Sequence, residues 1–132
     1  MKSFEDIQAE AESDLKFDIN NLEHYALTIG KIKEKYLRYI QTYRMKLKKA
    51  IFQLDKVYAE RHTWHSTQNP RSINRHDIDT YIKADTDYRK VSAEVCVIEE
   101  QVKYLDGILK TLDNMSFTIN SAVKLHIFKN GG

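Results

Sequence analysis

Residues 77–115 read DIDTYIKADTDYRKVSAEVCVIEEQVKYLDGILKTLDNM. Apolar side chains recur there at Tyr81, Ala84, Tyr88, Val91, Val95, Ile98, Val102, Leu105, Leu109 and Leu112, in alternating steps of three and four. That spacing keeps one face of an α-helix apolar, and an unbroken run of this length predicts a coiled-coil seam. Asp85 and Asp87 suit cap and first-turn positions, where carboxylates meet the positive end of the helix dipole. Working upstream, Leu22, Ile29, Tyr36, Tyr43, Ala50, Val57 and Trp64 repeat every seven residues and predict a second long helix over 21–65. Its companion row shifts, from Tyr25, Ile32 and Tyr39 to Leu47 and Leu54, so the seam drifts from one packing partner to another.

The turn-rich stretch Ser66-Thr67-Gln68-Asn69-Pro70-Arg71-Ser72 predicts a chain reversal over 66–76 between the two long helices. Ser3 with Glu5 and Asp6 predicts a capped short helix over 3–15, broken by the cap-rich Phe17–Asn21. Ile119, Val123 and Ile127, four apart, predict a tail helix over 116–129 that Asn130-Gly131-Gly132 ends. The expected fold is therefore all-α: a single domain, 1–132, in which a long helical hairpin carries short N- and C-terminal helices. Four glycines and one proline agree with few turns. A two-helix hairpin hides only one stripe on each helix, so the remaining apolar faces predict a homo-oligomer, with Ile119, Val123 and Ile127 at the contact.

No apolar run approaches the ~20 residues that span a bilayer, and the first thirty residues lack a signal peptide's apolar centre. A soluble, cytoplasmic protein without a membrane partner is expected. Cys96, the single cysteine, permits no intramolecular disulfide and is expected as a small core residue. His62, His65, His76 and Cys96 lack the spacing of a zinc site, no Glu-x-x-His pair suits a di-metal bundle, and a catalytic reading of Asp85 and Asp87 fails for want of a partner. The expectation is accordingly no enzyme, no metal and no cofactor.

The net charge of +2 conceals a strong asymmetry. Residues 1–30 carry two basic and seven acidic side chains, whereas 31–61 carry ten Lys or Arg against three acids. On a helical wheel Lys31, Lys35, Arg38, Lys49 and Lys56 fall together, away from the apolar stripe. Such a line of cations can track a phosphate backbone by counterion release, or it can be a plain solvated face. At the helix end, Lys56, Tyr58, Arg61, Trp64 and His65 interleave cations with rings, as single-stranded nucleic acid requires when bases stack and phosphates pair. Trp64 also falls on the apolar row, so it either stacks on a base or closes the seam. The competing function is a structural or adaptor coiled-coil oligomer whose basic helix meets acidic protein.

The opening Phe4-Glu5-Asp6-Ile7-Gln8 with Asp14 and Asp18, the Ala84-Asp85-x-Asp87 segment and Arg61-x-x-Trp64-His65-Ser66 together resemble the UvsY family, recombination mediators of T-even-like bacteriophages. The similarity runs over nearly the whole chain, in the same acidic-basic-acidic order. It implies a ring-shaped homo-oligomer, a hexamer or heptamer, held by coiled-coil-like packing and binding single-stranded DNA. It further implies two protein partners, a UvsX-like phage recombinase and the phage single-stranded-DNA-binding protein that coats the strand, in the cytoplasm of the infected host cell. The family's DNA-binding element lies at the end of the long helix, with Lys and Arg two apart, a Tyr-Tyr pair, then Ser-Gly. Arg61 and Ser66 match it here, Trp64 and His65 take the paired-aromatic positions, and Ala59 and Thr67 replace the Lys and Gly.

Overall fold

A computed structural model describes residues 2–131, apart from the side chain of Ile19. The chain is all-α, with no strand among the described residues: α1 (Phe4–Asp14), α2 (Leu22–Thr67), α3 (Ile78–Ala84) and α4 (Thr86–Lys129), with a 3₁₀ turn at Ile19–Asn21 before α2. It forms two compact units, one from Met1–Gln41 with Gln101–Gly132 and the other from Thr42–Glu100, so each long helix contributes to both.

In the first unit Ser3 caps α1 reciprocally with Asp6, satisfying two amide donors that the helix start leaves open. Ile7 and Ala11 bury the inner face of α1, and Phe4 meets Tyr104 of α4 edge-to-face at 5.4 Å. Tyr36 and Ile40 of α2 and Leu105, Ile108, Leu112 and Ile119 of α4 complete the core. Each fully buried aliphatic among them contributes about 1.5–3 kcal/mol. Lys33 joins Asp113 at 2.6 Å, the two long helices lying antiparallel within this unit.

In the second unit Tyr43 and Val57 of α2, Ile78 and Ile82 of α3, and Val95 of α4 are buried. The predicted helix over 77–115 is corrected at one end and extended at the other. Asp85 is extended, with ψ 138°, so the chain breaks there into the seven-residue α3 and a new helix from Thr86. No break occurs near 116: Leu112, Met115 and Ile119 carry the three-four spacing straight through Asn114 and Ser116, so the expected tail helix is the last part of α4. Cys96 is exposed rather than a core residue, because the seam is filled by Val95 and Ile98 on either side of it. Gly132, expected to help end the tail, lies outside the described residues.

Candidate nucleic-acid interface

The end of α2 is organised by one carboxylate. Asp85 sits where α3 stops, and its Oδ2 accepts from Arg61 Nε at 2.8 Å and from His65 Nε2 at 2.9 Å. Asn69 Nδ2 lies 3.0 Å from His65 Nδ1, so a ring protonated on Nε2 donates to Asp85 while Nδ1 accepts from Asn69. Burial raises the Asp85 carboxyl, but the bonds from Arg61 and His65 outweigh it and hold the group below its usual range. His65 is buried, at 6% exposure, and is a structural member of this network before it is anything else.

Trp64 is half-buried, edge-to-face with His65 at 4.9 Å and covered on one side by the Arg61 guanidinium, 4.5 Å from the ring centre. Tyr58 donates its hydroxyl to Asp79 at 2.8 Å, which raises its pKa. Lys49 and Lys56, with the neighbouring Lys48, are exposed, and no acidic group pairs with them among the described residues. Between Lys49 and Lys56, Phe52 is 73% exposed, and Met45, just before Lys48, is 55% exposed.

The cations of the first unit are differently placed. Lys35 is held by Glu10 and by Asp14, the latter at 2.6 Å, and Asp14 also accepts from the buried Tyr36 hydroxyl. Burial opposes ionisation of Glu10, yet bonds from Lys2, Lys35 and Tyr39 outweigh it and lower its pKa to about 2. Arg38 reaches Glu34 one turn back at 2.7 Å, and Lys31 is exposed. Of the residues expected at an oligomer contact, Ile119 closes the chain's own core at 1% exposure, Val123 is half-buried, and Ile127 is 49% exposed. Ile127 is therefore the most available of the three, and it stands beside the exposed Leu125 and Phe128.

Arg61, Trp64 and His65, grouped by the sequence, are neighbours at the end of α2, whereas the sequence did not point to Asp85 as the partner of Arg61 and His65 or to Phe52 as an exposed ring. The signal for Phe52 was present, since it lies three residues after Lys49 and four before Lys56, on the cationic face. No group of three or more His, Cys, Asp or Glu able to hold a metal occurs among the described residues, and no helix there is long and apolar enough to cross a membrane.

A family model described as "Recombination, repair and ssDNA binding protein UvsY" matches residues 10–132. The chain belongs to the UvsY family. Crystal structures of the bacteriophage T4 recombination mediator protein UvsY share its fold. Lattice type IV is 19% identical with TM-score 0.84, covering 97% of this chain and 99% of that one. Lattice type II is 18% identical with TM-score 0.85, covering 98% and 99%. Lattice type I is 18% identical with TM-score 0.82, covering 94% and 98%. No curated protein matches the chain. Within a UvsY-type fold, then, the cations of α2 belong to two settings: Lys33, Lys35, Arg38 and Arg61 are held by carboxylates of the chain, those of Lys35 lying on α1, whereas Lys31, Lys48, Lys49 and Lys56 face solvent.

Proposed function

We propose that this chain is a noncatalytic recombination mediator: it binds single-stranded DNA and promotes loading of a UvsX-like phage recombinase onto DNA coated by the phage single-stranded-DNA-binding protein. The observation that carries the proposal is the exposure of Lys48, Lys49 and Lys56 on α2, with no acidic partner among the described residues, in a chain of the UvsY family. These lysines, with Lys31, take phosphates directly. Lys35, Arg38 and Arg61 engage a phosphate by exchanging a carboxylate for it, Tyr58 and Trp64 offer rings, and His65 holds Asp85 and thereby the end of α2.

The working form is a ring of six or seven copies in the cytoplasm of the infected cell. The exposed Leu27, Leu125, Ile127 and Phe128 support association, because a lone chain leaves these apolar side chains in water. A ring repeating one modest patch gains avidity, since each engaged subunit raises the effective concentration of the next. It can thus bend the strand and loosen the coating protein. The adaptor alternative has one observation in its favour: Glu10 and Asp14 already satisfy Lys35, so acidic protein surfaces suit these cations.

Anisotropy of a labelled single strand across a salt series, paired with recombinase ATPase on coated strands, tests the proposal. Binding that weakens steeply with salt and a shortened ATPase lag are expected. Absence of strand binding at low salt, with tight binding to an acidic protein, overturns it in favour of the adaptor.

A further inference from the structure

We infer that Phe52 is a base-stacking platform, a ring on which an unpaired base lies while Lys48, Lys49 and Lys56 hold the adjacent phosphates. The inference rests on the single-strand binding proposed above and adds to it a residue that the arginine-aromatic segment at 61–66 does not contain. Phe52 is 73% exposed, an unusual state for the side chain of a phenylalanine on a helix that buries Tyr43 and Val57 nearby. Met45, Lys49, Phe52 and Lys56 stand at i, i+4, i+7 and i+11, which places them on one face of α2. Lys49 and Lys56 lie about 4.5 and 6 Å from Phe52 along the helix axis, one on either side, and Lys48 lies one turn before it.

The charge around the ring selects the occupant. A second copy of the chain laying an apolar surface on Phe52 would desolvate three lysines that have no acidic partner among the described residues, and lysine is depleted from interface cores for that reason. A single strand instead offers a flat apolar base to the ring and a phosphate to each lysine, so both features of the face are satisfied together. Stacking is indifferent to base identity, as suits a mediator that must act on any sequence.

The test compares wild type, Phe52→Ala, Phe52→Leu and Phe52→Tyr on two oligonucleotides of equal length, one of thymidines and one of abasic sites. Wild type is expected to bind the thymidine strand more tightly. Phe52→Ala and Phe52→Leu should weaken thymidine-strand binding at least about 5-fold and leave abasic-strand binding unchanged, with Phe52→Tyr restoring the preference. Solution mass and helix content should not change, since the side chain is largely in water. Three outcomes overturn the inference: Phe52→Leu keeping the full preference, all strands weakening equally, or a fall in oligomer mass, which assigns the ring to a subunit contact. Wild type failing to bind either strand defeats the single-strand reading itself, a result distinct from loss of the preference alone.

Discussion

The two units use the same kind of residue on the same helix for opposite ends. In the first, Lys33, Lys35 and Arg38 each have a carboxylate of the chain within 2.7 Å, and Lys35 fastens α1 to α2. In the second, Lys48, Lys49 and Lys56 face solvent without such partners among the described residues. A basic segment is thus not one functional surface. Where a carboxylate of the chain meets the cation, as Glu10 and Asp14 meet Lys35, the charge first serves internal docking and reaches a polyanion only by exchange; where none does, it is open to an external polyanion directly.

The largest expected effect breaks the comparison on the structural side. Ile119→Asp places a carboxylate in the first unit's core and should cost several kcal/mol, about 3 or more, unfolding that unit in a thermal melt followed by circular dichroism. Ile127→Asp, at a half-exposed position, should leave the melt nearly unchanged while lowering the mass found by sedimentation. Equal effects of the two changes would mean that Ile119 is not distinguished by burial.

Asp85→Ala sharpens the contrast in the second unit. It strips the acceptor from Arg61 and His65 and should destabilise the fold by about 1–3 kcal/mol, yet strand affinity should hold or rise because Arg61 becomes free for phosphate. A matching loss of affinity in protein that remains folded would make Asp85 a required support of the binding surface.

Trp64→Ala comes next. With a base stacked on its open side, the change should weaken strand binding by about 1–3 kcal/mol per engaged site, abolish quenching of indole fluorescence by oligonucleotide, and spare assembly. A lowered melting temperature and altered mass, without prior quenching in the wild type, would assign Trp64 to the seam.

Much of this architecture was legible because packing follows periodicity. The rows through Tyr36, Tyr43 and Val57 and through Val95, Leu105 and Leu112 are buried as their spacing demands. What escaped was decided by single side chains. Asp85 and Asp87 do open α4 as cap and first-turn residues, but the expected seam fails upstream of them: Tyr81 and Ala84 are exposed, and Ile78 and Ile82 of the separate α3 are buried instead, while the bonds from Asp85 to Arg61 and His65 are long-range ones that no local pattern records. Cys96 sits one position from the seam and so faces water. In the candidate site the cations were visible but their pairing was not: Lys31 and Lys35 look alike in sequence, and only the docking of α1 separates them. Phe52 lies on neither apolar row of α2 and outside the ring-rich end of the helix, so neither pattern singles it out.

The smallest effect concerns pH. Glu10 titrates at about 2 in the folded chain against an ordinary 4.5, so the folded state binds fewer protons through this interval. Its contribution to stability is complete above about pH 4.5 and fades as pH falls toward 2. The docking of α1 should weaken over that window, and Glu10→Gln should flatten the acid limb of the melting temperature without changing strand binding at neutral pH.

The most direct test is the salt dependence of single-strand affinity in Lys48→Ala/Lys49→Ala/Lys56→Ala, beside Lys33→Ala as the first-unit control. The account predicts a log-log slope shallower by about 0.7 for each phosphate no longer neutralised, weakened affinity for every base sequence alike, and an unchanged slope in Lys33→Ala. A folded triple variant with wild-type affinity and slope, or an equal fall in the control, would contradict it.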